Sequence, residues 1–422
     1  MVAGALLTSA FLLAPVVSPS FAAVGCGSVI TSNTKLTANV GPCTANGLTI
    51  GASGVTLNCA GHTIIGTGEK GEGITVRNPS APAPITGDTV TNCNVVEFRY
   101  GILVGGPSSA KFTKNDAYND TYGYYVGNSS KNTFKGNTAY NDTDGFFIGG
   151  IDSYGNTFST NIATTNHLYG FDLNWTKGGN ALTKNLAPDN VDDGFLVYNS
   201  TNNVLKDNTA DGNGVGGFYL TDKSDKNTLA ANTADANTFG FYLYVSSHNT
   251  LTSNKADSND GSGFWTWGTA SNTFSKNSAD ENGCGFCLEL DDTNDTFTSN
   301  TASSNLNWGY YLEGTFNSTF TGNAAKSSGM DGFYLFYAHN NTFTKNTSNY
   351  NGGDGFDLES SSSQSAFNTL TMNTANKNSQ YGYFDTSTGK GTKGTANYYV
   401  KDKCSGNTMG GSVPPGLGTP QP

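Results

Sequence analysis

The sequence predicts an all-β protein: a single-stranded right-handed parallel β-helix of about 12 to 14 coils with a period of about 23 residues. Three observations lead to this prediction. Asn, Thr, Ser and Gly dominate, with 54 glycines and only 13% charged residues, and helices use these residues poorly. Aromatic residues nevertheless reach 12% and recur on a fixed spacing, as packed residues do. Two short phrases repeat along most of the chain.

The first phrase is Asn-Thr followed by Phe or Leu, with another Asn three residues further on. It begins at Asn132, Asn156, Asn227, Asn249, Asn272 and Asn341. The second phrase is Gly followed by an aromatic residue, and it recurs every 22 to 25 residues with one step of 27. Its glycines are Gly145, Gly170, Gly194, Gly217, Gly240, Gly263, Gly285, Gly309, Gly332, Gly355 and Gly382.

This period is shared by leucine-rich repeats and parallel β-helices. Leu is sparse and no segment favours a helix, so we choose the β-helix, and parallel crossovers are almost always right-handed. In Gly-Phe-x-Leu the Phe and the Leu should face inward, because side chains alternate along a strand. The repeated Asn should form ladders in which each amide bonds the next coil.

The chain divides into four segments. Residues 1–22 resemble a signal peptide, with a short apolar run and Ser20-Phe21-Ala22 before the expected cleavage point. Residues 23–47 are predicted to be an N-terminal cap, residues 48–405 the β-helix, and residues 406–422, rich in Pro and Gly, a flexible tail. No segment outside the leader is long and apolar enough to span a membrane.

The seven cysteines indicate an oxidising compartment. Cys26 and Cys43 bracket the cap, and Cys59 and Cys93 become neighbours if their strand-like runs stack. Cys284 and Cys287 form a C-x-x-C, for which a local disulfide or a pair of buried thiols is the interpretation we prefer over a redox or zinc site. Cys404 is left over.

The formal net charge of −11 excludes nucleic acid as a partner, because nucleic-acid binding needs a basic surface. Arg occurs only at positions 77 and 99, which also disfavours polyanionic substrates such as pectate or alginate unless a cation bridges the charges.

The segment Gly54-Val55-Thr56-Leu57-Asn58-Cys59-Ala60-Gly61-His62-Thr63-Ile64 resembles the opening coil of bacterial right-handed parallel β-helix repeat proteins. These belong to the pectin-lyase-like superfamily and include NosD-like periplasmic proteins and carbohydrate-binding or sugar-hydrolase modules. With the repeats, the resemblance covers roughly residues 25–404. It implies the fold, whereas lyases, hydrolases, epimerases and adhesins all use that fold. The catalytic motifs of the characterised pectate lyases, polygalacturonases and alginate epimerases have no counterpart in this sequence.

Outward positions after each Gly-aromatic pair carry many rings where Thr, Ser, Lys or Asn would be ordinary. We expect a glycan-binding platform, since apolar files of this size mark binding sites and ring faces suit sugar C–H faces. A covering loop, or ring stacking that only stabilises the sheet, is the alternative. The platform residues are Tyr219, Tyr242, Tyr244, Trp265, Trp267, Tyr311 and Tyr334.

Two pairs of carboxyls are candidate catalytic residues. Glu289 and Glu313 occupy equivalent positions on adjacent coils, so their carboxyls should lie roughly 5 Å apart, as in retaining glycosidases. Asp331 and Asp354 form a second pair, each directly before a repeat Gly, where turn chemistry is the competing explanation. Solvated acids that share a cation are the competing explanation for the first pair.

No metal site and no cofactor is predicted. Asp192-Asp193 and Asp291-Asp292 offer oxygen ligands for calcium, but no calcium-binding motif accompanies them. The four histidines fall on distant coils, and the lack of a Met/His/Cys cluster argues against copper transfer.

The sequence therefore predicts a secreted or periplasmic monomer that interacts with a polysaccharide or cell-surface glycan. If it is an enzyme, hydrolysis is favoured over elimination or epimerisation, because the outward files contain no basic residue to neutralise a uronate. The alternatives are a non-enzymatic adhesin or structural solenoid, and a periplasmic NosD-like accessory protein.

Overall fold

The structure, a computed structural model, describes residues 24–68, 70–77, 85–106, 108–359 and 364–420. The predicted signal peptide lies outside the described residues. Within them the chain is a parallel β-solenoid in which every strand pairing is parallel and a single 3₁₀ turn, Thr392–Gly394, is the one helical element. The all-β prediction and the repeat length are confirmed. In the same part of the chain, no helix has the length and apolar character needed to cross a membrane.

Three sheets run along the solenoid, and each coil contributes a strand to most of them. Sheet 1 contains the Gly-aromatic repeats and has 17 strands. They are Ser28–Ile30, Leu48–Ile50, Glu72–Val76, Tyr100–Gly105, Tyr122–Gly127, Asp144–Gly149, Phe171–Asn174, Phe195–Tyr198, Gly216–Thr221, Phe239–Tyr244, Ser262–Trp267, Cys284–Glu289, Tyr310–Glu313, Phe333–Phe336, Phe356–Leu358, Tyr381–Asp385 and Gly410–Val413.

Sheet 2 contains the Asn-Thr-Phe repeats and has 16 strands. They are Thr34–Lys35, Thr56–Asn58, Thr89–Thr91, Lys111–Thr113, Thr133–Lys135, Thr157–Ser159, Ala181–Thr183, Val204–Lys206, Thr228–Ala230, Thr250–Thr252, Thr273–Ser275, Thr296–Thr298, Thr319–Thr321, Thr342–Thr344, Thr369–Thr371 and Tyr398–Val400.

Sheet 3 follows sheet 2 in each coil and is divided into five-stranded and eight-stranded parts, between which single bridges continue the stack. The first part is Thr63–Ile65, Asn94–Val96, Asp116–Tyr118, Thr138–Tyr140 and Ile162–Thr164. The second is Lys255–Asp257, Ser278–Asp280, Thr301–Ser303, Ala324–Lys326, Thr347–Asn349, Thr374–Asn376, Lys403–Ser405 and Thr419–Pro420.

Identical core positions stack on one another, as the repeat predicts. Phe264 lies between Phe241 and Phe286 with ring centroids 4.8 and 4.7 Å apart, and all three are buried. Phe264 meets Phe274 of sheet 2 edge to face at 6.2 Å. Each buried ring contributes about 2 to 3 kcal/mol of transfer free energy. From Ala117 to Cys404 sheet 3 supplies small inward side chains such as Ala279, because the rings of the other two sheets already fill the interior there, whereas its first two strands contribute Ile64 and Val95.

Asparagine ladders occupy the turns. The Asn277 amide Nδ2 donates to the Leu251 carbonyl at 3.0 Å and to Asn300 Oδ1 at 3.0 Å. Its own Oδ1 accepts from the backbone N–H of Asn254 at 2.9 Å. Because every one of these groups is buried, the ladder satisfies backbone atoms that the turn would otherwise leave unpaired.

Replacing Asn277 by Ala is expected to lower the free energy of unfolding by about 2 to 4 kcal/mol, since several buried partners lose their hydrogen bonds at once. Thermal or chemical unfolding of the variant measures this. Asn307→Ala, at a partly exposed position outside the ladders, should change stability by less than about 0.5 kcal/mol. Equal stability of the two variants would mean that the ladder adds nothing.

Both ends of the stack are more regular than expected. The predicted cap contributes strands to sheets 1 and 2, closed by the Cys26–Cys43 disulfide. Instead of a flexible tail, Gly410–Val413 and Thr419–Pro420 pair with the preceding coil. Glycine makes this possible, because a Cβ at Gly418 would lie 2.8 Å from the Tyr383 ring and 2.9 Å from Cys404 Sγ. Sheet 1 therefore has 17 strands rather than the expected 12 to 14 coils, and 15 of them already lie between residues 48 and 405.

The remaining cysteines fall where the stacking puts them. Cys59 and Cys93 form a disulfide between adjacent coils, and Cys284 and Cys287 form one within a single strand of sheet 1. Cys404 is buried and unbonded. Of the two interpretations preferred for the C-x-x-C, the structure shows the local disulfide. The three disulfides agree with an oxidising compartment.

Candidate functional site

The outward face of sheet 1, called the flank below, carries three parallel columns of side chains. The central column follows each Gly-aromatic pair, and the rim column lies two residues later. The edge column directly precedes each repeat Gly. Paired strands keep the columns in register: Tyr242 aligns with Trp265, Tyr244 with Trp267, and Tyr311 with Tyr334.

Rings of the central column stack face to face. The centroids of Tyr219 and Tyr242 are 4.6 Å apart with planes at 1°, and those of Tyr242 and Trp265 are 4.4 Å apart at 11°. Tyr311 and Tyr334 continue the column at 5.6 Å beyond Cys287. Neighbouring rings cover one another's faces, so the half-buried central column offers mainly ring edges and hydroxyls to a ligand.

The rim column is more open. The centroids of Tyr244 and Trp267 are 6.4 Å apart with planes at 46°, so these rings are not stacked. Tyr244 is 38% exposed, the most accessible ring of the expected platform. The ring faces that a sugar can reach are therefore those of Tyr244 and Trp267, and the Trp265 ring packs edge to face against Trp267 at 5.8 Å.

Glu289 and Glu313 follow the paired residues Leu288 and Leu312, which places the two carboxylates on adjacent coils about 4.8 Å apart along the axis. Burial, and then the charge of Glu313, raises the pKa of Glu289. The Tyr311 hydroxyl donates to Glu313 Oε2 at 2.8 Å and holds that carboxylate in place. The pair thus has one acid that keeps its proton more tightly and one hydrogen-bonded carboxylate.

The indole N–H of Trp265 also lies near Glu289 and lowers its pKa. It does not reach hydrogen-bonding geometry, and the buried Nε1 has no other partner in the described part of the chain. Trp265 is therefore a polar neighbour of Glu289 that is held by the surrounding rings and does not pair with its carboxylate.

Asp331 and Asp354 are also brought together, with Asp357 as a third member that sequence reasoning did not include as a candidate. Their carboxylate oxygens lie within 4.8 Å of one another. Burial, followed by the neighbouring charges, raises the pKa of Asp354 to about 7 and that of Asp357 to about 8. Asp331 and Asp354 also accept backbone N–H groups of Asp354 and Tyr381, so turn chemistry and a carboxyl cluster coexist.

The aromatic rings of the edge column were not predicted as site residues, although two of its carboxyls, Asp331 and Asp354, were. Phe239 packs against Trp265 at 4.6 Å, and Trp308 packs against Tyr311 at 4.7 Å. The alternation rule fails here because Gly and one inward aromatic residue separate the edge residue from the central residue. The sequence did contain a signal: the edge residue always precedes the central residue by three positions, across the Gly-aromatic pair.

A further carboxyl pair, which the sequence did not indicate, joins Asp144 of the edge column to Asp172 of the central column. Asp144 and Asp172 are only 6% and 3% exposed, and Oδ1 of each is buried without a hydrogen-bond partner among the described residues. Burial, and then the charge of Asp144, raises the pKa of Asp172 to about 8. Asp144 precedes Asp172 by one coil, the same relation that joins Asp331 to Asp357.

Replacing Asp172 by Asn is expected to stabilise the protein at alkaline pH. A carboxyl whose pKa is raised by folding, from about 4 to about 8, favours the folded state below the unfolded pKa and loses that contribution as pH rises through 8. The variant should therefore gain about 2 kcal/mol or more relative to the wild type at pH 9, and little at pH 4. Denaturant unfolding across pH measures this. Asp207→Asn, outside the flank, should leave the pH profile unchanged.

The two Asp-Asp segments considered for calcium are occupied by the protein itself. Asp292 Oδ1 accepts from Thr269 N–H at 2.7 Å and from the Thr269 hydroxyl at 2.9 Å. Asp193 Oδ1 accepts from Gly216 N–H at 2.8 Å. Both residues are buried, so these carboxylates brace the coil edges.

Comparison with known proteins identifies the family. The model of the family described as periplasmic copper-binding protein (NosD) matches residues 26–232 and 148–278, together more than half of the chain. The chain belongs to the NosD family. A model of the right-handed β-helix region matches residues 227–336 and 280–412 of this NosD-family protein, in agreement with the expected handedness and resemblance. No curated protein matches it significantly.

Two solved structures have limited similarity to the NosD-family chain over much of its length. The A-module of the Azotobacter vinelandii mannuronan C-5 epimerase AlgE4 is 14% identical, with 76% of this chain and 84% of that chain covered and a TM-score of 0.42. The tailspike protein of E. coli bacteriophage HK620 is 11% identical, with coverages of 91% and 72% and a TM-score of 0.44. At these identities and scores the likeness says nothing about activity.

Copper, which the family description names, does not fit the residues present. Copper sites favour thiolate, thioether and imidazole ligands. Cys284 and Cys287 are bonded to each other, and Cys404 is alone. Among the described residues, the one cluster of three His, Cys, Asp or Glu side chains is the all-carboxylate group of Asp331, Asp354 and Asp357, which suits hard cations better than copper.

Proposed function

We propose that this NosD-family protein is a secreted or periplasmic polysaccharide-binding protein that hydrolyses its glycan on the flank. The observation that carries the proposal is the Glu289–Glu313 pair beside open aromatic rings. One carboxyl has a raised pKa, and the other is fixed by a tyrosine hydroxyl. These are the different environments that an acid and a nucleophile need.

In the proposed reaction Glu289 is the general acid and Glu313 is the nucleophile. Glu289 donates its proton to the glycosidic oxygen while Glu313 attacks the anomeric carbon, and the bond between that carbon and the leaving oxygen breaks. Water then cleaves the glycosyl ester, and Glu289 takes the proton that the water releases. The one-coil spacing of the carboxyls suits this retaining course better than an inverting one, which needs room for water between them.

Substrate positioning is assigned to the rim rings. Tyr244 and Trp267 present their faces on the coils directly before Glu289, so sugar units that stack there place the next linkage near the carboxyls. Tyr219, Tyr242, Tyr311 and Tyr334 contribute ring edges and hydroxyls rather than stacking faces. Trp265 packs edge to face against Trp267 and holds that ring in place.

Hydrolysis is preferred over elimination on grounds of charge. A lyase that abstracts a proton next to a uronate carboxylate needs a positive group to neutralise that carboxylate. The central and rim columns from Tyr219 to Glu359 contain no Lys or Arg. Hydrolysis of a glycosidic bond requires only the acid and the nucleophile.

A second centre for the same chemistry is the cluster of Asp331, Asp354 and Asp357. Its raised pKa values supply a proton donor near neutral pH, and Asp331 supplies a further carboxyl. The alternative is a non-enzymatic glycan-binding or structural role. One observation favours it: most rings of the central column stack face to face, so their faces are covered by neighbouring rings. A copper-related accessory role has no such support.

The proposal is tested by incubating the purified protein with a panel of polysaccharides and measuring new reducing ends together with unsaturated products. Hydrolysis predicts reducing ends without absorbance from unsaturated sugars. Unsaturated products would reassign the reaction to elimination. Glycan retention without either product would support a binding protein and exclude hydrolysis. The absence of both binding and products would overturn the proposal.

A further inference from the structure

We propose that the glycan bound by the flank carries free amino groups: the ligand is an amino-sugar polysaccharide in its cationic form. This inference rests on the proposed glycan-binding function and names its substrate class. It is drawn from the charge of the flank, from two buried oxygens without donors and from the accessible ring faces.

The charge of the flank has one sign. From Asp144 to Glu359, no Lys or Arg occupies the edge, central or rim column of any described coil. The same positions hold carboxyls at both ends and in the middle of the ring file. They are Asp144, Asp172, Asp193, Glu289, Glu313, Asp331, Asp354, Asp357 and Glu359.

The lysines of the same coils lie elsewhere. Lys255, in sheet 3, pairs with Asp235 at 3.0 Å and Asp257 at 2.7 Å, so the charge of this lysine is neutralised locally. A surface lined by one sign of charge concentrates ligands of the opposite sign, and the net charge of −11 adds to this attraction. A uronate-containing chain would be repelled along the whole flank.

The buried carboxyl pair provides an observation that does not depend on overall charge. Oδ1 of Asp144 and Oδ1 of Asp172 have no donor among the residues that the structure describes, although each residue is more than nine-tenths buried. Asp172 Oδ2 receives only a long contact from Asn174 Nδ2, at 3.4 Å. An unpaired buried acceptor is costly, and an ammonium group supplies the missing hydrogen bonds and favours the ionised form of a carboxyl that burial otherwise keeps protonated.

The same arrangement recurs at the other end of the ring file. Asp331 and Asp357 stand in the same relation between edge and central columns, and Asp357 Oδ1 is likewise buried without a partner in the described chain. About eight coils separate the two pairs, or about 38 Å at the strand spacing. Amino groups repeated along a polymer can engage both pairs, which a small cation cannot.

The open rings suit the same ligand. Ammonium groups bind over the faces of Trp and Tyr, and this attraction adds to the contact of sugar C–H groups with the ring. Trp267 aligns with Glu289 on the next coil, so a ring face and a carboxylate are adjacent. A neutral sugar would stack on the Trp267 ring but would offer no cationic partner to the Glu289 carboxylate.

The inference is tested by isothermal titration of the full chain with β-1,4-linked glucosamine oligomers, their N-acetylated counterparts of equal length, and polygalacturonate. We expect the free amine oligomer to bind, with affinity that falls as salt rises. The acetylated oligomer should bind at least about tenfold more weakly, and polygalacturonate should not bind.

Two variants make the result specific. Asp172→Asn should weaken binding of the amine oligomer about tenfold, whereas the matched change Asp207→Asn outside the flank should not. Trp267→Ala should weaken binding of the amine oligomer but should not weaken binding of polylysine of matched charge. Equal affinity for the acetylated oligomer would overturn the amine specificity while the glycan-binding proposal stands. Polylysine bound as tightly as the oligomer would also overturn it, as mere charge attraction. Binding of none of the glycans would defeat the proposed function itself.

Discussion

Replacing Glu313 by Gln is expected to reduce the rate of polysaccharide hydrolysis by about a thousandfold, because an amide cannot attack the anomeric carbon. Glu289→Gln should cause a loss of similar size with substrates whose leaving group needs protonation. With an activated aryl glycoside, whose leaving group needs no proton, Glu289→Gln should retain much of the first step and Glu313→Gln should not.

The matched control is Glu281→Gln, an exposed carboxyl outside the three columns of the flank. It should keep the wild-type rate. If Glu289→Gln and Glu313→Gln also keep that rate while Asp357→Asn loses it, the reaction belongs to the aspartate cluster. If all of these variants retain full activity, the carboxyls of the flank are not the catalytic groups.

Removing the two indoles beside Tyr244 should abolish glycan retention. The double replacement Trp265→Ala and Trp267→Ala deletes the rim indole and the indole packed edge to face against it, and we expect about 2 kcal/mol or more of binding free energy to be lost, or about thirtyfold in affinity. In an affinity gel the variant should run as it does without glycan.

A ring outside the binding surface serves as the control for this experiment. Tyr350→Ala removes an exposed ring that follows sheet 3, where Lys377 lies over it at 5.2 Å. Retardation of this variant should match the wild type. Unchanged retardation of the double Trp variant would show that the stacked rings serve only to stabilise the sheet.

Much of the fold follows from local rules. Phe286 and Leu288 face inward and Cys287 and Glu289 face outward because strand side chains alternate, and the repeat length then fixes which residues meet between coils. The Glu289–Glu313 pairing and the order of the aromatic column could therefore be predicted. Accessibility could not, since the close ring spacing that hides Tyr242 depends on the size of both of its neighbours.

The carboxyl contacts that the sequence did not predict share a physical cause. At Asp331-Gly332-Phe333-Tyr334 the glycine bends the strand, so Asp331 and Tyr334 both face outward at a spacing of three, which alternation forbids. That bend brought Asp357 to Asp331 and Asp172 to Asp144. At the C-terminus, composition indicated flexibility, but small residues were needed there to pass close to Tyr383 and Cys404.

Every functional assignment above depends on the coils being stacked in the stated register. A crystal structure that resolves side chains tests this most directly. It should place the Phe264 and Phe286 rings about 4.7 Å apart in the core, with Glu313 directly following Glu289 on the flank. A register displaced by even one residue at this strand would turn Glu313 into the core and contradict the account.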